Sequence, residues 1–338
     1  MPKRPFRPPF PRIRVLSALT LIGATATLAY GCMMYMPGRS KTPPLSPLTP
    51  LESAAGERLR IDLQALAGDI GERNLARPEA LERAAQLIEE RLRAAGHVPV
   101  RRTYAVDGAP CSNIEVVIGG RSEELVVVGA HYDSAHGSPG ANDNGTGVVA
   151  LLELARRLRG SSPERTLALV FFVNEEPPYF STERMGSRVW ANEARQRGAA
   201  IVGAVSLETM GFFTEAPSSQ QYPFPMGAFY PDHGNFIGFI GNVDSRALVR
   251  DVVGSFREVA TIPSEGVALP DHTLGVDWSD HASFWRHGWP GLMVTDTAPF
   301  RYPHYHTRDD VPENVDTGAL ARVVVGVEHA VRALAGAR

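Results

Sequence analysis

The stretch from His131 to Gly147 reads His-Tyr-Asp-Ser-Ala-His-Gly-Ser-Pro-Gly-Ala-Asn-Asp-Asn-Gly-Thr-Gly. It is dense in imidazole, carboxylate and glycine. His131 and Asp133 stand two apart, and Asp143 lies beside the start of an amphipathic segment, Val148 to Leu158. Neutral imidazole with carboxylate is the donor set that zinc takes in catalytic sites. The competing reading is a glycine-rich turn whose aspartate caps the following helix. Three further places repeat the pattern of an apolar run followed by metal-capable residues. Thr166 to Val173 leads to Glu175 and Glu176, Ile201 to Leu207 leads to Glu208, and Gly291 to Thr297 leads, after a short loop, to His306. Taken singly, Glu208 fits a solvated loop residue, and Glu175 with Glu176 an exposed acidic pair. Taken together they predict one cleft, because open α/β sheets bind ligands beyond the carboxyl ends of their strands.

The elements that must place these residues follow from periodicity. Pro78 to Ala95 has helical spacing, with Leu81, Ala84, Ala85, Ile88 and Leu92 on one face. Glu52 to Ala67, Gly186 to Arg197, Asp244 to Ala260 and Asp316 to Ala335 also read as helices, and Ser279 to His287 as a short one. Val98 to Val106, Asn113 to Ile118, Leu125 to Ala130 and Phe236 to Ile240 read as strands. Apolar runs alternating with helices predict an α/β fold of three layers: a mixed, mainly parallel sheet with helices on both faces. Phe212 to Asn235 is an irregular insertion rich in aromatics and proline, from which Phe224, Met226, Phe229 and Tyr230 are candidates to line a side-chain pocket.

Composition excludes several classes. The 338 residues carry a net charge of -3 and 21% charged residues, so no basic surface for nucleic acid is expected. The two cysteines, Cys32 and Cys111, rule out a disulfide scaffold and a cysteine-based zinc site. Residues 1–14 hold five positive charges, and Val15 to Met36 holds none of either sign. Twenty-two residues at about 1.5 Å rise span about 33 Å, enough to cross a bilayer, with the basic flank on the cytoplasmic side. This predicts a membrane anchor over 15–36, a proline-rich linker over 37–50, and a folded domain over 51–338 whose active face is periplasmic or extracellular. A cleaved signal peptide using small residues near Ala24 and Ala26, and a lipoprotein attached through Cys32, are the alternatives.

The His-x-Asp pair, the Ala-Asn-Asp-Asn-Gly-Thr-Gly run, the Glu-Glu pair after a strand, and Tyr-His-Thr-Arg-Asp-Asp (305–310) resemble the co-catalytic di-zinc aminopeptidases. Their superfamily also holds glutamate carboxypeptidase-like and glutaminyl cyclase-like enzymes. The resemblance covers roughly residues 80–335. It implies two Zn²⁺ ions per chain, with Asp143 bridging them, His131 and Glu208 completing one site, and Glu176 and His306 the other. It implies Glu175 as general base toward a metal-bridging hydroxide, Tyr305 as oxyanion donor, Asp133 as the group orienting His131, and Asp280 as a further supporting carboxylate. A cis peptide after Asp143 is implied as well. The family most often has Asp where this chain has Glu208, which is one methylene longer. The implied activity is removal of N-terminal residues from peptides. Rivals are a glutaminyl cyclase-type acyltransferase, a carboxypeptidase for acidic C-termini, and a catalytically silent binding ectodomain.

Overall fold

The structure, a computed structural model, describes residues 33–337 together with Ser17, Gly23 and Gly31. Most of the expected anchor, 15–36, lies outside the described residues. Among the described residues no helix is long and apolar enough to cross a membrane.

The ordered chain begins as an extended segment and enters α1 (Pro50–Leu63) through a reciprocal cap. The Thr49 side chain accepts from the Glu52 amide, and Glu52 accepts from the Thr49 amide at 2.7 Å. A wider helical turn, Gln64–Ile70, continues it. Residues 37–50, expected as a linker, lie against the domain. Arg257 donates to the Pro37 carbonyl, the Ser264 amide to Ser40 Oγ, and Arg322 to the Ser46 carbonyl.

α2 (Pro78–Ala94) buries the five residues that its spacing singled out. β1 (Val100–Val106), β2 (Ala109–Ile118) and β3 (Ser122–His131) follow. A polar loop then leads to α3 (Thr146–Leu158), β4 (Arg165–Phe172), α4 (Gly186–Gln196) and β5 (Ala200–Glu208). Beyond the insertion come β6 (Ile237–Asn242), α5 (Arg246–Val259), β7 (Ser264–Leu269), the short α6 (Ala282–Trp285), β8 (Gly291–Thr295) and α7 (Thr317–Ala335), the last capped by Asp316. One sheet of eight strands runs β1-β2-β4-β3-β5-β8-β6-β7. β4, β3, β5 and β8 are mutually parallel neighbours. The pairs β1/β2, β2/β4 and β6/β8 are antiparallel.

β3 shows how the layers form. Val126, Val128 and Ala130 enter the large core shared with α1, α2, α3, α5 and α7, while Val127 enters a smaller core with Trp190 and Phe284 from α4 and α6. Side chains alternate across a strand, so a strand buried on both faces is apolar throughout. β7 departs from expectation: sequence reading placed no strand there, because Glu265 and Gly266 interrupt the apolar pattern.

Candidate metal centre

The four parallel strands bring their carboxyl ends to one edge, and each supplies part of the site. His131 closes β3 and Glu208 closes β5. Glu175 and Glu176 follow β4, and His306 lies in the loop after β8. His131 Nε2 stands 3.4 Å from Asp143 Oδ1 and 3.3 Å from Glu208 Oε2. His306 Nε2 stands 3.0 Å from Asp143 Oδ2 and 3.1 Å from Glu176 Oε2. The structure thus forms two clusters, His131-Asp143-Glu208 and Asp143-Glu176-His306, which share Asp143.

The donor set fits a pair of divalent cations. Both nitrogens of His131, Asp143 Oδ2 and Glu176 Oε1 are buried without a hydrogen-bond partner despite these short separations. Groups aimed at a common third point behave this way, and unpaired buried polar atoms are costly otherwise. Glu175 is the group left over, 3.8 Å from His131 Nε2.

The pattern of charge agrees. Burial pushes the Glu175 carboxyl well up, reinforced by Glu208 and Glu176. Burial and Asp143 push Glu176 up to about 7. Although burial opposes it, contacts to Asp143 and Glu176 push His306 up to about 10. Despite its own burial, Asp143 is held below the usual carboxylate range by His131 and His306. The crowding of carboxylates thus favours positive charge, proton or cation, at the cluster.

The turn carrying Asp143 explains the spacing of its polar residues. The Asp143–Asn144 peptide is cis. Asn142 donates to Asp296 Oδ2, and its carbonyl oxygen accepts from Thr146 Oγ1. Asn144 donates to the Leu207 carbonyl and accepts from the Gly147 and Thr209 amides, which ties the turn to the end of β5. Gly147 leaves room for that approach, since a Cβ there would meet Asn144 Oδ1 and the Leu207 carbonyl at 2.4 Å. No side chain caps α3, so the capping reading of Asp143 does not hold.

Asp133 accepts from the amides of Glu175 and Glu176 at 3.2 and 3.1 Å, and its Oδ1 lies 3.5 Å from His131 Nδ1. It therefore positions three site residues from one point. Asp280 is buried with neither carboxylate oxygen in a hydrogen bond of good geometry. Burial, Glu208 and Asp133 push it up to about 7. Tyr305 stacks on His306 with centroids 3.9 Å apart. Burial and the surrounding carboxylates raise its phenol, so it is a hydrogen-bond donor. Glu208 is buried, and Ser279 Oγ donates to it at 2.7 Å.

Three supporting residues escaped sequence reading. Asp310 accepts from the Asn142 and Asp143 amides at 2.8 and 3.0 Å and from Tyr302. Asp296 accepts from the Gly211 and Phe212 amides. Arg73, fully buried, donates to the carbonyls of Tyr132, Pro139 and Gly140. Asp310 belongs to the Asp-Asp pair after His306, a signal that was present without an assigned role. Arg73 had no such signal. Of the insertion residues, Met226 and Tyr230 line a cavity, but Phe224 and Phe229 face solvent.

Residues 113–331 match Peptidase family M28. The chain belongs to this family. It is 34% identical over 290 residues to Uncharacterized protein YfbL of Escherichia coli (strain K12), covering 83% of this chain and 88% of that one. It is 29% identical over 231 residues to a probable leucine aminopeptidase of Trichophyton verrucosum (strain HKI 0517), covering 63% of this chain and 55% of that one. The M28 chain thus spans about half the length of that fungal relative. Among solved structures it resembles BSAP, a zinc aminopeptidase from Bacillus subtilis (TM-score 0.64, 14% identity, 82% and 94% of the two chains). It also resembles the glutaminyl cyclase of Fimbriiglobus ruber (TM-score 0.61, 18% identity, 88% and 98%). These two likenesses show the α/β zinc-peptidase fold.

Proposed function

We propose that this M28 chain is an aminopeptidase that holds two zinc ions and removes N-terminal residues from peptides. The observation that carries the reading is the pair of ligand clusters sharing Asp143, with a buried glutamate beside them that neither cluster uses. His131, Asp143 and Glu208 would hold one ion, and Asp143, Glu176 and His306 the other. When bound, two such ions supply Lewis-acid polarisation of the scissile carbonyl. Glu175 accepts the proton of the attacking water and returns it to the leaving amine. Asp133 fixes the backbone from which Glu175 and Glu176 project, so base and ligand keep separate directions. Tyr305 donates to the oxygen on which charge develops.

The test is metal content of the purified chain, followed by assay of aminoacyl anilides with and without chelator. Two equivalents of zinc and chelator-sensitive release of amino acids are expected. The likeness to a glutaminyl cyclase supports a second reading on the same fold. A peptide with N-terminal glutamine separates them: ammonia release without loss of the residue would favour the cyclase. We also propose that the apolar segment within 15–36 anchors the protein, with the catalytic domain outside the cytoplasm, as the basic flank supports; its last residues, Tyr35 and Met36, lie against Arg250 and the large core of the domain. Membrane fractionation with protease accessibility tests this.

A further inference from the structure

One carboxylate on the same face of the sheet remains outside this chemistry. Register pairs Glu208 of β5 with Thr295 of β8, Thr295 with Gly238 of β6, and Gly238 with Glu265 of β7. Directly paired residues project to the same face. Glu265 therefore stands three strands along from Glu208, about 14–15 Å at the usual strand spacing. Between them lie only a threonine and a glycine, so the row is a shallow lane. A Cβ on Gly238 would meet the Thr295 carbonyl at 3.2 Å and Thr297 Cγ2 at 3.5 Å.

Segments of the insertion and of the turn 270–278 border this lane and make two neighbouring chambers that share part of their walls. The outer one is lined by Glu208, Thr209, Trp278 and Tyr305. The inner one is walled by Tyr222, Met226, Val267 and Leu274 and includes Glu265. Ile240, Gly275, Thr297 and Phe300 belong to both. The inner chamber is an open cleft, continuous with solvent along part of its wall. Glu265 is the one carboxylate among its lining residues, its accessible wall is almost wholly apolar, and no cationic side chain lines it among the described residues. The nearest compensating charge, Arg257, is committed elsewhere: it donates to the Ser264 carbonyl at 2.7 Å, to Ser264 Oγ at 3.0 Å and to the Pro37 carbonyl at 3.2 Å. Burial accordingly pushes the Glu265 carboxyl up, with Arg257 opposing.

We propose that the inner chamber receives the side chain of a basic N-terminal residue, lysine or arginine, with its methylene stem along the apolar wall and its cationic head on Glu265. The proposal rests on the aminopeptidase reading and adds a substrate class to it. Lysine and arginine bury their stems against apolar surface while the head keeps a polar partner. A charge-assisted hydrogen bond inside an apolar wall discriminates strongly against the same stem without its head.

The experiment compares anilides of lysine, arginine, norleucine, leucine and alanine on the metal-loaded protein. Lysine and arginine should exceed norleucine in kcat/KM by about tenfold or more, mainly through KM. Glu265→Gln should bring the lysine-to-norleucine ratio close to one. Gly238→Val should depress every long side chain relative to alanine. Inhibition by lysinamide against norleucinamide reads the same preference in the unaltered protein, so a variant that fails to fold leaves the test intact. Preference for norleucine or leucine over lysine, or a ratio unmoved by Glu265→Gln, overturns the basic pocket while sparing the peptidase. No turnover of any anilide by zinc-loaded protein overturns both.

Discussion

Glu175 and Glu176 are adjacent and both buried, yet their surroundings divide them. Glu176 faces His306 at 3.1 Å and belongs to a ligand cluster, whereas Glu175 stands apart near His131. Glu175→Gln is expected to lower kcat by about 100- to 10,000-fold with zinc content intact. Glu176→Gln should lose zinc as well as activity. Measuring kcat and metal content on the same preparations checks both, and loss of zinc from Glu175→Gln would contradict the division of roles. The raised carboxyls set a pH dependence. Glu176 and Asp280 are pushed up to about 7 in the folded, metal-free chain, while an unfolded chain releases such protons near pH 4. Between those values the folded state binds more protons than the unfolded one, so its stability falls as pH rises from about 4 to about 7. The thermal midpoint of chelator-treated protein should drop across that window, and zinc should flatten the profile. A flat profile without metal would count against the cluster as described.

The turn between β3 and α3 is the element on which the site depends. Asp310 and Arg73 both hold it, Asp310 through the amides of Asn142 and Asp143, Arg73 through the carbonyls of Pro139 and Gly140. Arg73 is fully buried, and burial pushes its guanidinium down to about 10 while Asp310 and Asp133 oppose the shift. Arg73→Met would leave the buried Tyr132 and Pro139 carbonyls without their donor, while Gly140 would keep the Gly145 amide. It should cost about 3 kcal/mol or more and lower the thermal midpoint by about 6–12 °C. Asp310→Asn should keep the fold but weaken zinc binding by about 10- to 100-fold, because it releases the turn that aims Asp143. Titration with a competing chelator measures this.

For the M28 domain taken entire, the segment 37–50 belongs to the folded unit. Its contacts reach Arg257, Ser264 and Arg322, and the cap at Thr49 and Glu52 starts α1. A chain beginning at residue 53 should therefore unfold about 2–6 °C below one beginning at residue 36, since a lost cap costs about 1 kcal/mol and the lost hydrogen bonds add to it. Equal midpoints would show that the segment is a passive tether. If residues 15–36 cross a membrane, this docking leaves little free chain between bilayer and domain.

What could be read from residue order alone was whatever has a local cause. Buried parallel strands are apolar throughout, helices repeat every three to four residues, and metal-capable side chains stand after strand ends, so the α/β class was legible, and His131, Asp143, Glu175, Glu176, Glu208 and His306 stood out as candidates whose roles only the family resemblance implied. Distant contacts decided the rest. Arg73 looks like any surface arginine until the carbonyls of residues 132, 139 and 140 close around it. β7 was hidden because Glu265 and Gly266 make sense only beside Gly238, whose missing side chain opens the lane across the sheet. Hydrogen bonds to a remote backbone, and the space left by a remote glycine, leave no periodic trace in the sequence; they exist only once the strands are laid side by side.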